Sequence, residues 1–415
     1  MEKPRALISN HWKFARIAYN RGMNRREFLT TATLSSIALA TRAAETTRQF
    51  RVAVIGHTGR GDYGHGLDAL WFAHPETEIV AIADADEKGR AAAQKKLKLA
   101  TGFADYHRML AETKPDIVAI CPRWIDQHRD MAMAAIEAGA RGIYMEKPFC
   151  RTPAEADEIV AACDKRNVKF ALAHRNRYHP ALPAVARLLK DGAIGRLLEI
   201  RSRGKEDQRG GVEDLWVLGS HVFNLINFFC GNPVACSAEL LNKGRPVVHA
   251  DIVEGREGIG PVAGDELHAR FEMENGVPAF FDSIRNADTP SENYGLQLIG
   301  SRGIISMRID QHPIAHLISG APFKPLLDPR AWQPISSAGA GVPEPIADAG
   351  AQVSSHGYAV RDLLAAIRED RQPLCNARDG RVVVEMICAI LESHRLGGAR
   401  IPWPLQTRRN PLALF

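Results

Sequence analysis

The sequence predicts an α/β protein of two domains, the first a doubly wound parallel sheet and the second built on an open, mainly antiparallel sheet. Up to about residue 174, buried strands alternate with helical segments, a pattern typical of a parallel sheet covered on both faces. After that point, segments with alternating apolar and polar residues follow one another through hairpin turns. The 415 residues also exceed what one hydrophobic core usually supports.

The first predicted strand, "VAVI", runs directly into the glycine-rich stretch "GHTGRGDYGHG" at residues 56–66. A tight glycine turn between a strand and a helix lets backbone N–H groups approach a pyrophosphate at the positive end of the helix, which we expect to begin near Leu67. The spacing is G-x-x-G-x-G, and a threonine stands where the usual fingerprint has its second glycine. The predicted dinucleotide contacts in this turn are Gly56, Thr58, Gly59, Arg60 and Gly61.

A second buried strand, "EIVAIAD", ends on Asp84, some 23 residues after Gly61. A carboxylate at this place accepts hydrogen bonds from the adenosine ribose hydroxyls and repels a 2′-phosphate. The sequence therefore predicts NAD as the cofactor, although Arg60 or Lys88 leaves NADP open.

The alternation continues through the strands "PDIVAICP", "GIYMEKPF" and "VKFALAH" and the helices between them. Ligands of doubly wound sheets bind at the carboxyl ends of the strands. Four polar or turn-forming residues lie at such ends: Pro122, Glu146, Lys147 and His174.

The second half contains "LHARFEM", the hairpin turn "NG" and a second hairpin, "LQLIGSRGIISMRID", which predict antiparallel neighbours. Residues 312–356 are rich in Pro, Gly, Ala and Ser and show no clear period. We expect a long loop there, either a functional cover or a solvated excursion.

"EKPF" at a strand end, together with "RYHP", "GAIG", "GSHVFN", "GSRG" and the closing "EMICAILESHRLGGARIPWPL", resembles the Gfo/Idh/MocA family of oxidoreductases. These motifs occur in order over nearly the whole chain after residue 50. The resemblance implies a Rossmann domain at residues 45–174, a substrate and oligomerisation domain at 175–400 and a C-terminal tail at 401–415. It also implies a homo-oligomer, either a dimer or a tetramer.

The resemblance further implies that Lys147 and His221 flank the substrate beside the nicotinamide. The family commonly has Asp-x-Gly-x-His-x-x-Asp, but this chain has Val217 four residues before the histidine and Asn224 three residues after it. Val217 cannot sharpen His221 as a base. We therefore expect Asp214, or else Glu213, to supply the catalytic carboxylate; the alternative is that the chemistry has drifted.

Other candidates follow from position within the resemblance. Pro122, His128, Glu146 and Lys147 are expected at the cofactor, although "PRWIDQH" carries two extra residues after the proline that could intrude on its pocket. The predicted substrate contacts, each of which could instead be a core or domain-junction residue, are Arg177, Tyr178, Trp216 and Asn224. The scattered cysteines predict no metal site.

The net charge of +5 comes from residues 1–44, which hold eight Lys or Arg and two Asp or Glu; the rest has 45 basic and 46 acidic residues. Without an excess of basic residues after residue 44, the charge does not indicate a nucleic-acid-binding protein. "MNRREFLTTATLSSIALATRAAE" resembles a twin-arginine export signal, with a segment too short and too polar to span a bilayer. It predicts a periplasmic or otherwise exported protein, whose start is either Met1 or Met23.

Together these features predict an exported NAD(P)-dependent oxidoreductase that acts on a secondary hydroxyl of a sugar, polyol or glycoside. Export favours a tightly held cofactor, because a periplasm offers no nicotinamide pool for exchange. Two alternatives stay open. One is an NAD-dependent glycosidase or lyase without net redox change, and the other is a cofactor-binding protein without enzymatic activity, suggested by the loss of the carboxylate at Val217.

Overall fold

The computed structural model describes residues 49–288, 293–324 and 327–415, and residues 50–415 form one compact unit. The twin-arginine segment lies outside the described residues. The first sheet has six parallel strands in the order β3-β2-β1-β4-β5-β6, which confirms the predicted doubly wound fold. Its strands are β1 (Phe50–Ile55), β2 (Thr77–Ala83), β3 (Gly102–Phe103), β4 (Ile117–Ile120), β5 (Gly142–Met145) and β6 (Lys169–Leu172).

Helices cover this sheet: α1 (Glu87–Leu97), α2 (Tyr106–Thr113), α3 (His128–Glu137) and α4 (Pro153–Arg166). Their ends follow from local chemistry. In α4 the Thr152 hydroxyl accepts a hydrogen bond from the backbone of Glu155, Pro153 fills the first turn, and Asn167 ends the helix in the left-handed conformation. The start and the end of α4, and so the point at which the chain returns to the sheet, are therefore set by these capping residues.

The glycine turn after β1 differs from the prediction. Residues 57–69 form successive turns, and the only regular piece before β2 in this described stretch is a single 3-10 turn at Leu70–Ala73. The helix expected near Leu67 is therefore absent there, because glycines at 59, 61, 64 and 66 with positive φ keep the chain in tight turns. The backbone N–H groups of residues 56–60, 62 and 64 are hydrogen-bonded within the chain.

The second sheet runs in the order β18-β17-β16-β15-β14-β7-β13-β12-β8-β19, and β9 also pairs with β8. Among the described strands, β7 and β13 pair in parallel and the other pairs of this sheet are antiparallel, as predicted. A small antiparallel pair, β10 with β11, lies apart. The strands are β7 (Leu197–Arg203), β8 (Pro233–Asn242), β9 (Arg245–Pro246), β10 (Val253–Glu254), β11 (Pro261–Val262), β12 (Glu266–Met273), β13 (Pro278–Ile284), β14 (Gly295–Gly300), β15 (Gly303–Arg308), β16 (Ala315–Ser319), β17 (Gln333–Ser336), β18 (Gly339–Ala340) and β19 (Ile401–Pro402).

Residues 312–356 are more ordered than the expected loop. They supply β16, β17 and β18, which extend the sheet beyond the β14–β15 hairpin, and a short helix follows them. These strands could not be predicted, because prolines and glycines interrupt the alternation of apolar and polar residues in short strands near a sheet edge. The segment thus widens the sheet and returns towards the first domain.

The remaining helices are α5 (Leu182–Lys190), α6 (Ser220–Cys230), α7 (Ala349–Ser354), α8 (Gly357–Glu369) and α9 (Ala377–Arg395). Helix α9 begins with a capping box of Asn376 and Asp379, is buried over most of its length, and contacts both α4 and β8. The two sheets consequently share one hydrophobic core. In the described part of the chain, no helix is long and apolar enough to cross a membrane.

Candidate active site

The site forms where the carboxyl end of β5 meets the segment that leads into α6. Lys147, two residues after β5, is buried, and its Nζ donates a hydrogen bond of 3.1 Å to the carbonyl oxygen of Val217. Burial lowers the pKa of Lys147, while the nearby charge of Glu146 opposes that shift. The lysine therefore reaches across the junction between the two halves and presents its amine beside α6.

His221 lies on the first turn of α6, and its partner is a second histidine. Its Nδ1 is 3.3 Å from Nδ1 of His174, and the two rings are perpendicular with centroids 4.9 Å apart. Burial, and then the charge of Lys147, lower the pKa of His174 to about 3 and hold the pKa of His221 well below its usual value. Both rings are therefore neutral at physiological pH, and one Nδ1 donates to the other.

The carboxylate predicted to assist His221 has other partners. Asp214 accepts hydrogen bonds from the Ser283 hydroxyl at 2.6 Å and from the backbone N–H groups of Lys205 and Glu206, both at 3.2 Å. No hydrogen bond joins it to His221 within the described ranges, because five residues of π-helix, Leu215–Gly219, separate them. Asp214 instead fastens the loop after β7 to the end of β13.

The glycine turn lies against the segment that follows β4. A Cβ on Gly61 would lie 2.3 Å from the backbone nitrogen of Arg123, so only glycine allows this approach. Arg60 pairs with Asp126 and stacks over the ring of Trp124, 4.8 Å from its centroid. The two extra residues after Pro122 thus support the glycine turn.

Asp84 lies at the end of β2, as predicted, and is almost completely buried. Its carboxylate accepts hydrogen bonds from the Tyr63 hydroxyl and the Thr58 hydroxyl, each at 2.7 Å, and from the backbone nitrogens of Thr58 and Asp86. The Tyr63 ring occupies the space that a Cβ on Gly56 would fill. The chain's own hydroxyls therefore hold the positions at which ribose hydroxyls would bind.

A cavity of about 150 Å³ opens beside Asp84, between the ends of β1 and β2. Among the residues that line it are Gly56, His57, Ala85, Tyr106 and Gln127. A glycine cradle, an acidic strand end and this cavity fit the adenosine half of a dinucleotide, provided that Tyr63 and Thr58 release the carboxylate. When bound, the cofactor would supply a hydride acceptor, and the glycine turn with Asp84 would hold it.

His128 has a structural partner on each side of its ring. Nε2 lies 2.7 Å from the carbonyl oxygen of Pro122, Nδ1 lies 2.8 Å from that of Pro148, and the side chain is fully buried. This arrangement corrects the expected contact with the nicotinamide ribose, since neither nitrogen is left for a hydroxyl. His128 instead ties the end of β4 to the Glu146–Phe149 turn.

The predicted substrate contacts lie mostly in the interior. The Tyr178 hydroxyl donates to the carbonyl oxygen of Cys375, Asn224 contacts the Cys375 sulfur, and Trp216 is fully buried. All three side chains are buried in this structure, and their contact with a substrate stays a prediction. Arg177 packs its guanidinium over the ring of Phe228 at 3.9 Å, which makes it a partly buried support for α6.

Several polar residues that the sequence did not single out converge near Lys147. Arg175 forms an ion pair of 2.9 Å with Asp310, next to Asn176, which donates to the same carboxylate. His65, in the extended glycine turn, contacts the Glu146 carboxylate. His65 could have been found from the sequence, because "GHG" directly follows the glycine turn. Asp310 could not, because its contacts with Arg175 and Asn176 join residues far apart in the sequence.

Two family models match this chain. The model described as an oxidoreductase family with an NAD-binding Rossmann fold matches residues 50–174, and that of the GFO/IDH/MocA C-terminal domain matches residues 183–306. The chain belongs to the Gfo/Idh/MocA family. This membership confirms both the α/β architecture and NAD as the cofactor class of the first domain.

Relatives of this Gfo/Idh/MocA protein include the D-apiose dehydrogenase of Paraburkholderia graminis, 29% identical over 50% of this chain and 56% of the relative. The levoglucosan dehydrogenase of Pseudarthrobacter phenanthrenivorans is 26% identical over 54% of this chain and 63% of the relative. The matches therefore span little more than half the length of these curated relatives.

Solved structures show the same fold. A levoglucosan dehydrogenase in complex with NADH and levoglucosan aligns with a TM-score of 0.67 at 21% identity, covering 86% of this chain and 100% of that one. The WlbA dehydrogenase of Bordetella pertussis, in complex with NADH and UDP-GlcNAcA, aligns with a TM-score of 0.64 at 19% identity, with 86% and 100% coverage. At such identities the likeness concerns the fold.

Proposed function

We propose that this protein is an NAD(P)-dependent dehydrogenase that oxidises a secondary hydroxyl of a sugar, polyol or glycoside. The observation that carries the proposal is the cluster of a buried lysine and two neutral histidines at the carboxyl end of β5, beside the dinucleotide crevice. Family relatives named as dehydrogenases of D-apiose, levoglucosan and D-glucoside support a carbohydrate substrate.

The chemistry suits these groups. Oxidation of a secondary alcohol removes a hydride from carbon while the hydroxyl proton leaves, and a cation beside the oxygen stabilises the developing alkoxide. The Nζ of Lys147 can supply that charge, and the neutral His221 ring can orient the hydroxyl without competing for it. The Arg175–Asp310 pair and Asn176 add polar groups near the cluster that suit further hydroxyls of the substrate.

Two finer features belong to the same proposal. The paired Arg25 and Arg26 before an apolar segment support export through the twin-arginine pathway. A periplasm offers no exchanging pool of nicotinamide nucleotides, so an exported enzyme would have to keep its cofactor bound.

The test begins with the protein purified after native export. Denaturation followed by mass spectrometry of the released nucleotides identifies any retained NAD or NADP. The protein is then supplied with each member of a carbohydrate panel while absorbance at the reduced-nicotinamide band and the sugar products are recorded. Reduced nicotinamide together with a keto-sugar supports the proposal; cleavage of a glycoside without net reduction supports the glycosidase alternative.

Lys147→Ala is the matched variant, with Lys243→Ala as the control, because Lys243 lies in the β8–β9 turn away from the cluster. We expect Lys147→Ala to lower kcat at least 100-fold, the usual contribution of a positioned acid–base group. Full turnover by Lys147→Ala would contradict the site assignment, and failure to bind any dinucleotide would overturn the proposal as a whole.

A further inference from the structure

The extended glycine turn carries a histidine that the chemistry described above does not use. His65 lies between Gly64 and Gly66, and both glycines have positive φ, at 59° and 83°. A Cβ on Gly64 would lie 2.4 Å from the carbonyl oxygen of Cys121, so the loop can approach the end of β4 only with glycine at this position. The backbone thereby fixes where His65 points.

His65 forms a histidine–carboxylate pair with Glu146. Its Nδ1 contacts Oε1 of Glu146, and Oε2 of the same carboxylate accepts a hydrogen bond of 3.2 Å from the backbone N–H of Lys147. Although burial would raise the pKa of Glu146, the His65 hydrogen bond and the charges of His65 and Lys147 lower it to about 2, so the group is ionised. A carboxylate can only accept, so Nδ1 of His65 carries the hydrogen.

This geometry leaves Nε2 as the proton-accepting nitrogen of His65. A carboxylate that binds one imidazole nitrogen fixes the tautomer and stabilises the imidazolium that forms when the other nitrogen takes a proton. His65 is also exposed, with 44% of its side chain accessible, while the Glu146 side chain is 1% accessible. The pair therefore extends from the buried neighbour of Lys147 to solvent.

His221 lacks both properties. Its nearest polar partner is the neutral His174 ring rather than a carboxylate, and it is buried. A histidine whose conjugate acid is so disfavoured is a weak base. The carboxylate that the family motif would pair with His221 is absent, because position 217 is valine. The histidine–carboxylate pair next to Lys147 is instead that of His65 and Glu146.

We propose that His65, oriented by Glu146, accepts the proton released from the substrate hydroxyl and passes it to solvent. The proposal rests on the dehydrogenase function proposed above. As the O–H bond breaks, its proton goes to Nε2 of His65; the bound dinucleotide would supply the acceptor for the hydride that leaves the carbon bearing that oxygen. The carbon becomes a ketone, and the imidazolium then loses its proton to water.

The test uses the complete protein, NAD and the panel sugar that the wild type oxidises fastest. His65→Ala should lower kcat about 100-fold or more, leave the Kd of NAD within about threefold, and regain at least tenfold of its rate when imidazole is added. An exposed side chain leaves room for imidazole to enter. His249→Ala, at an exposed histidine in the turn after β9, should behave like the wild type with or without imidazole.

His65→Gln separates proton transfer from loop anchoring. Glutamine keeps an N–H donor for Glu146 but has no nitrogen that titrates, so it should fold normally and stay as slow as His65→Ala. Rescue by imidazole should rise with pH as the free base becomes available. The charged and titratable groups around the pair include Lys147, His221, His356, His174, Arg175, Tyr144 and Cys121, and their own titrations are common to both variants and the wild type.

The outcomes separate the two proposals. A wild type that oxidises a sugar, with His65→Gln equally fast or His65→Ala slow but insensitive to imidazole, overturns the role of His65 and leaves the dehydrogenase intact. A wild type that reduces no nicotinamide with any panel member overturns both. Restoration of His65→Ala by imidazole, together with a slow His65→Gln, supports the proton-accepting role.

Discussion

Replacing Tyr63 by phenylalanine should tighten the binding of NAD. In the structure the Tyr63 hydroxyl donates to Asp84 at 2.7 Å, and burial together with Asp84 raises the pKa of Tyr63, so the hydroxyl stays protonated. A ribose hydroxyl can reach the same oxygen only when this bond is given up. Removing the hydroxyl weakens the ligand-free state and leaves the bound state unchanged.

The size of the effect follows from the hydrogen bond. A hydrogen bond to a charged group contributes about 1.5–3 kcal/mol. Because the Thr58 hydroxyl and backbone still bind Asp84 in the variant, we take the lower end of that range. One tenfold change in Kd corresponds to about 1.4 kcal/mol, so we expect Tyr63→Phe to lower the Kd of NAD about tenfold.

The assay is isothermal titration calorimetry of the nucleotide-free protein with NAD. Tyr358→Phe is the matched control, because the Tyr358 hydroxyl has no hydrogen-bond partner in the described chain and its loss should leave the Kd unchanged. An unchanged or higher Kd for Tyr63→Phe would show that Tyr63 stays on Asp84, or contacts the cofactor itself, in the complex. Either result would refute the exchange of hydroxyls.

Three further predictions follow from buried groups. His128→Leu should lower the free energy of unfolding by about 1–3 kcal/mol in urea titrations, since the buried carbonyl that accepts from the ring N–H loses its donor; an unchanged free energy of unfolding would contradict this. The pKa of His174 is about 3 in the folded state and 6.5 in the unfolded state, so its contribution to stability is present above pH 6.5 and is lost as the pH falls towards 3. His174→Phe should reduce the dependence of the unfolding free energy on pH in this range by up to about 1.4 kcal/mol per pH unit. An unchanged pH dependence would refute the low pKa of His174. Asp214→Asn should destabilise the fold by about 1–3 kcal/mol, yet leave the pH dependence of kcat/KM unchanged; a shifted profile would restore Asp214 as the carboxylate of His221.

The fold could be predicted because its signals are local. Each signal can be recognised from residues that are neighbours in sequence. These signals are four apolar residues before a glycine turn, an acidic residue at the end of the next strand, and the hairpin around Asn275 and Gly276. Edge strands β16 to β18 escaped prediction because pairing with β15, rather than their own periodicity, orders them. Their stability comes from contacts distant in sequence.

The candidate site was predictable only in part. Lys147 and His221 were found from motifs, and the structure brings both to one junction. Trp216 was placed at the substrate by its position within the resemblance, but position in sequence alone does not tell on which side of a helix a residue lies. A π-helix just before α6 changes the number of residues per turn, and its apolar sequence does not predict this change.

The contact between Lys147 and position 217 bears on how this chain should be compared with its relatives. The acceptor at that position is a main-chain oxygen, a group that every amino acid carries. An alignment column in which valine replaces aspartate therefore records the loss of a carboxylate that would assist His221, but not the loss of the main-chain oxygen that accepts from Lys147. A ranking of family members by that column alone would class this protein as inactive, although its lysine remains held at the same junction.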